Sequence, residues 1–208
     1  MLKQLTWLRI KPLILGMDWQ VENLRMVLLG PANKGDHQTS QQLLGQWHWS
    51  WPLLSADGPV QAQPPWQEFI AQVAGLRAKA PVHVNAGIPN HLCTWLHCPA
   101  GLFEGRTNGV TLQLDYQRMA AKALNIEPAN LRVCHLQLSP NLSFLVVTKR
   151  HYSDRIEQLI MSLHDALKGS VVGRIEPQGL TQLVAPAGID DACTMAWFMA
   201  HKARLPAC

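Results

Sequence analysis

Residues 13–29, LILGMDWQVENLRMVLL, hold two apolar runs, Leu13–Met17 and Leu24–Leu29, on either side of polar Gln20–Asn23. Two such runs with a polar break read as strands joined by a tight turn. The segment Gly30–Ser40 is a loop by composition, and a third strand follows it. Within Gly45–Trp51 residue types alternate, so Trp47, Trp49 and Trp51 fall on one face and Gln46, His48 and Ser50 on the other. A period of two marks a strand with one buried face. Beyond the Gly- and Pro-bearing loop Asp57–Pro65, the residues Trp66, Phe69, Ile70 and Val73 recur at helical spacing, predicting an amphipathic helix over Trp66–Lys79.

Pro81 resets the chain. Val82–Ala86 reads as a short strand ending in Gly87-Ile88-Pro89, and Asn90–Asn108 as irregular. Leu112, Tyr116, Met119 and Leu124 predict a helix over Thr111–Asn125. Leu131–Leu138 and Ser143–Lys149 form a hairpin about Ser139-Pro140-Asn141. The clearest helix is Ser153–Lys168, with Ile156, Leu159, Ile160, Leu163 and Leu167 as its apolar stripe. Ser153 or Asp154 is its expected cap and Gly169 its stop. A strand at Val171–Ile175, a Pro/Gly stretch at Pro177–Gly188 and a helix at Asp190–Arg204 complete the order. Ala192, Met195, Ala196, Met199 and Ala203 share one face of that last helix. The expected division is residues 1–80 as the first part of one subdomain, 81–176 as an inserted block, and 177–208 as a short bridge with a returning helix.

Hydrophobic residues are 48% of the 208, enough for a sizeable core. Charged residues are only 15%, against roughly 25% in a typical soluble domain, which implies a surface that is partly covered in use. The net charge of +4 comes from 18 Lys+Arg against 14 Asp+Glu. The basic residues are dispersed, with Lys3, Arg9 and Lys11 the densest group, and no basic stripe for nucleic acid can be read. The five cysteines Cys93, Cys98, Cys134, Cys193 and Cys208 have no framework spacing. The stretch Pro12–Met17 is far short of a signal core, and no window approaches the roughly 18 apolar residues of a spanning helix. These features lead to the expectation of a reducing, cytoplasmic compartment, with any membrane reached through a partner.

Chemistry-bearing motifs are few. His91-Leu-Cys93-Thr-Trp-Leu-His97-Cys98 packs four possible metal ligands together, but structural zinc sites combine two separated pairs, and this spacing fits no standard pattern. The plainer reading is a pair of free thiols in a turn beside a strand. An enzyme built on His91–Cys98, metal-dependent or hydrolytic, is one rival function. The second is a single-strand nucleic-acid module stacking bases on Trp47, Trp49 and Trp51. No G-x-S-x-G, no phosphate loop and no dinucleotide fingerprint is present. His135 reads as a structural core histidine, and Asp190-Asp191 as a complement to a helix dipole. No cofactor and no resident metal are expected.

The opening Leu15-Gly16-Met17-Asp18-Trp19-Gln20, running on through Leu24–Leu29, resembles the first strand–turn–strand of the actin-like fold, as found in PilM-type pilus-assembly proteins. Val82–Pro89 (VHVNAGIP) is similar to the strand that opens that family's inserted module. Ala121–Asn125, Glu127–Asn130, Val146–Arg150 and Arg174–Pro177 fall in the family's order, and Asp191–His201 resembles its terminal Ala-rich helix. The Trp-rich strand ending in Pro-Leu (Trp47–Leu53) brings the chain nearer to the short HofM/ComA-like members. The resemblance implies a mixed α/β chain: a reduced actin-like, ribonuclease H-like subdomain carrying a strand-helix-strand-strand, SHS2-like module, with the second lobe missing.

Two departures bear on activity. The family's first turn wraps backbone N–H groups around phosphates and needs small residues for that approach. Here the corresponding positions Gly16, Asp18, Gln20 and Glu22 form a degenerate turn in which Glu22 opposes a phosphate. Only Gln178–Ile189 stands where the family carries its second lobe. The resemblance therefore implies a non-enzymatic cytoplasmic protein, peripheral at the inner membrane. Its role would be in a pilus, DNA-uptake or secretion platform, binding the cytoplasmic N-terminal peptide of a PilN-like membrane protein. Homo-oligomerisation is left open. The place to look for the peptide is the cleft between the inserted module and the first subdomain. Gly87, Ile88 and Pro89 at its hinge are the candidate contacts, with Trp47 and Trp49 as a further partner surface.

Overall fold

The computed structural model describes residues 11–20, 23–31, 42–50, 64–77, 80–99, 109–139, 142–168 and 171–177, and the single positions 193, 196, 199 and 200. They form a mixed α/β chain with two sheets and three helices.

Three strands open the first sheet: β1 (Leu13–Gln20), β2 (Asn23–Gly30) and β3 (Gln42–Ser50). They pair antiparallel in sequence order, with Gln20 opposite Asn23 as the expected tight turn requires. Helix α1 (Pro64–Arg77) leads to β4 (Val82–Ile88), which runs parallel to β1. The chain then builds β5 (Cys93–Cys98), α2 (Gly109–Leu124), β6 (Leu131–Ser139), β7 (Leu142–Lys149) and α3 (Arg150–Ala166). It returns to the first sheet as β8 (Val171–Pro177), parallel to β4. The two sheet orders are β3-β2-β1-β4-β8 and β5-β7-β6. Strands β4 and β8, at the two ends of the block the sequence sets apart, thus pair into the first sheet.

Both faces of β1 and β2 are covered, which explains their unbroken apolar runs. Leu13, Leu15, Met17 and Trp19 point into the main core with Trp66, Phe69 and Val73 of α1 and Ile156, Leu159, Ile160 and Leu163 of α3. Both helices therefore lie on one face of the five-stranded sheet. They are tied by a buried bond: Trp66 Nε1 donates to Ser162 Oγ at 2.8 Å, and that hydroxyl donates to the Leu159 carbonyl at 3.0 Å. In the second sheet, Leu131, Val133, Leu145, Val147 and Cys98 pack under Tyr116, Ala120 and Ala121 of α2.

Three expectations need correction. Cys93–Cys98, expected to be irregular, is strand β5; its six residues alternate, but interspersed His and Cys hide the pattern. Helix α3 begins at Arg150, not at Ser153, and Lys149 at its N-cap makes no side-chain cap bond. Ser153 lies inside the first turn, buried, and returns its hydroxyl to the Arg150 carbonyl at 2.7 Å. The left-handed position ending α3 falls on Lys168 (φ 55°), where Gly169 was the expected stop. Helix α2 ends with Asn125 in the left-handed conformation at φ 53°, and Ile126 N–H reaches the Ala121 carbonyl at 3.1 Å, the 6→1 bond of a Schellman motif.

Candidate functional site

Gly16 and Asp18 lie on the face of β1 turned away from α1 and α3. The ladder sets Gly16 between Val27 and Asn85, and Asp18 between Arg25 and Gly87. Asp18 is fully buried and Asn85 nearly so. Gln20 ends β1, and Glu22 lies outside the described residues.

Part of the C-terminal segment covers this face. Cys193, Ala196 and Ala200 pack with Val27 and Leu29, with Ile14 and Leu43 alongside. Asn85 Nδ2 donates to the Met199 carbonyl at 2.7 Å, and Cys193 Sγ to the Trp47 carbonyl at 3.6 Å. The approach over Gly16 is very close: a Cβ there would stand 1.7 Å from the Ala196 carbonyl oxygen and 2.6 Å from the Ala200 nitrogen. Gly16 is thus a close-approach glycine, and the backbone approaching it belongs to the chain itself. The remainder of the expected helix Asp190–Arg204 lies outside the described residues.

The other expected site residues take structural places. Gly87, Ile88 and Pro89 are buried at the end of β4. Trp47 and Trp49 are half-buried and set edge-on against α1: their rings meet Phe69 at 4.9 and 5.7 Å, and Trp49 meets Trp66 at 6.5 Å. Trp47 Nε1 also donates to Gln72 Oε1 at 2.7 Å. Rings held this way face a helix, not a stacked base. Trp51 lies outside the described residues.

Strand β5 disperses the His91–Cys98 ligands. Cys93 and His97 share one face, while Cys98 points the other way beneath α2. Burial, with the Cys134 charge second, pushes the Cys93 thiol up to about 11, so it stays protonated and a poor ligand or nucleophile at neutral pH. Cys134 lies on β6, with β7 between the two strands, and that spacing of about 9.5 Å is too wide for a disulfide. Among the described residues no three His, Cys, Asp or Glu side chains gather to hold a metal ion.

His135 stacks on Tyr116 of α2, ring centroids 4.9 Å apart. Burial holds the imidazole below the usual histidine range. Burial also raises the Tyr116 phenol, with the Cys98 charge adding to it. A depressed histidine binds fewer protons folded than unfolded, so its contribution to stability is complete above the ordinary value and lost as pH falls below it. The melting temperature should therefore decline below about pH 6.5, and His135→Phe should flatten that decline. An unchanged slope in thermal melts across pH would refute the assignment to His135.

The cleft between the two sheets contains a groove of about 440 Å³ whose lining residues the sequence reading did not name. Its floor is α3, through Glu157, Met161 and His164 and the edge of the core residue Ile160. Arg132 of β6 stands on one side and Val171, Gly173 and Ile175 of β8 on the other. Arg132 Nη1 meets Glu157 Oε1 at 2.6 Å, bridging the second sheet to α3. Met161 is 55% exposed, a large apolar side chain facing solvent. Met161 amid polar Glu157 and His164 was the one sequence signal for this groove.

No family model matches the chain, and no curated protein matches it. Among solved structures it is similar to the cytoplasmic domain of EpsL, an inner membrane component of the type II secretion system of Vibrio cholerae. Identity is 11% and the TM-score 0.47, over 80% of this chain and 57% of that one. The chain thus spans little more than half the length of that neighbour. Among the described residues no helix is long and apolar enough to cross a membrane.

Proposed function

We propose that this chain is a non-enzymatic assembly scaffold of a pilus, DNA-uptake or related secretion platform. It is a reduced actin-like subdomain carrying an inserted strand-helix-strand-strand module, cytoplasmic and docked at the inner membrane through a PilN-like partner. The observation that carries the reading is the crowding over Gly16. Phosphates would need to approach that glycine's backbone, and the Ala196 and Ala200 backbone fills the space. The placement of the second sheet between β4 and β8 supports the family resemblance of the sequence. The groove over α3 supports peptide capture: Ile160, Met161, Val171 and Ile175 offer apolar contacts, while Arg132, Glu157 and His164 offer polar ones that orient a chain.

Calorimetric titration of the purified chain tests both halves. Magnesium–ATP should give no binding isotherm, and micromolar binding would overturn the scaffold reading. Synthetic N-terminal peptides of the membrane proteins encoded beside it should bind, and Met161→Lys should weaken the binding peptide at least tenfold, about 1.4 kcal/mol. Failure of every such peptide would remove the proposed partner, and undiminished binding to the variant would place the peptide outside the groove.

A further inference from the structure

At the C-terminal end of α2 the core of the second sheet opens into a cavity of about 220 Å³. Buried Leu131 and Val147 line it, together with Leu124, which is apolar yet only half-buried. Its polar lining comes from Lys149, exposed where β7 passes into α3, from Tyr152 one turn into that helix, and from His91. His91 belongs to the turn Asn90–Leu92, which is tied to β7 because Thr148 Oγ1 donates to the Leu92 carbonyl at 3.0 Å. The volume is below the roughly 300–1,000 Å³ of ordinary ligand pockets, so only a small molecule fits.

Among the described residues that line the cavity, Lys149 alone carries a fixed charge. The acidic residues nearest in sequence, Glu127 and Asp154, are exposed and do not line it. Among the described residues the Lys149 ammonium makes no ion pair, and the Tyr152 hydroxyl and the His91 ring make no hydrogen bond. Three groups able to donate thus meet at an apolar cavity without an acceptor. An uncharged apolar occupant would leave those donors unmatched. A phosphate dianion would bring a second charge against Leu131 and Val147, with nothing there to pair it.

We propose that this cavity binds a small monocarboxylate with an apolar body. The body lies on Leu131 and Val147 beneath the end of α2. The carboxylate stays at the mouth, where Lys149 and Tyr152 donate to it and His91 offers a further ring nitrogen. The site shares no lining residue with the groove over α3, so either can fail without the other.

Titration of the full chain with sodium benzoate at constant ionic strength, followed by backbone amide NMR, tests the assignment. Millimolar benzoate should shift the amides of Leu131 and of Val147, Thr148 and Lys149 along one saturating curve. Benzyl alcohol keeps the ring without the charge, and inorganic phosphate keeps the charge without the ring. Each should bind about tenfold more weakly or worse. Lys149→Met, at an exposed position and of similar reach, should weaken benzoate by about the same factor. Benzoate that shifts none of these amides, or only amides elsewhere, would overturn the proposal. So would benzyl alcohol or phosphate that matches benzoate, or a Lys149→Met protein that binds it undiminished.

Discussion

Gly16→Ala should release the C-terminal segment from the sheet. The added methyl would stand 1.7 Å from the Ala196 carbonyl oxygen, 2.6 Å from the Ala200 nitrogen and 2.8 Å from the Ala196 carbonyl carbon. All three are backbone atoms, so no rotamer change relieves the clash. Gly16 is also held at mid-strand between Val27 and Asn85 and cannot retreat. The segment must therefore move, losing the Asn85–Met199 bond and uncovering Val27, Leu29 and Cys193. Overpacking in a rigid core costs roughly 1–3 kcal/mol and occasionally more; with backbone on both sides, the upper end is expected. For a chain of this size that is a drop of about 6–12 °C in melting temperature. A second readout is alkylation of Cys193, which is fully buried in the wild type and should label in the variant as fast as a free thiol. A variant that melts like the wild type with Cys193 unlabelled would show that the segment does not lie on Gly16.

The same glycine shows where sequence reading succeeded and where it stopped. The sequence offered Gly16 only as one position of a degenerate phosphate turn, although a glycine inside an apolar strand is itself a mark of close backbone approach. Which backbone approaches was not legible, since Ala196 and Ala200 lie about 180 residues away in a stretch read as an Ala-rich helix returning to the first subdomain, with no residue there to name its contact. The strands Leu13–Met17 and Leu24–Leu29 could be read because burial on both faces leaves short apolar runs bounded by polar residues, and the stripe of α3 because burial on one face imposes a helical period. Trp47 and Trp49 could be placed on one face of β3, but not against Phe69, which is a tertiary fact. Strand β5 escaped because six residues with three His or Cys among them carry too little contrast. The groove over α3 joins Arg132 of β6 to Gly173 of β8, strands of different sheets that no local pattern brings together. The end of α3 failed differently: glycine is favoured at a left-handed position, yet Lys168 takes it one residue before Gly169.

Trp66→Ala should be the most destabilising truncation in α1. Trp66 is fully buried, tilted against Phe69 at 5.1 Å and met edge-on by Trp49, and it joins α1 to α3 through Ser162. Removing a buried Trp side chain costs about 3–5 kcal/mol, a large share of the roughly 5–15 kcal/mol that holds a domain folded. The bond to Ser162 can be separated from the packing because its two ends are unequal. Ser162 also donates to the Leu159 carbonyl, so losing Trp66 leaves its hydroxyl with a partner. Ser162→Ala, in contrast, removes the acceptor that the buried indole N–H uses, a penalty of about 1–3 kcal/mol. In the Trp66→Ala background that penalty should vanish, because no indole remains to strand. Urea unfolding of the two single variants and the double variant closes the cycle, and a coupling of about 1–3 kcal/mol is expected. Strictly additive losses would mean the two helices are joined by apolar contact alone, and the hydroxyl would then have no part in setting α1 against α3.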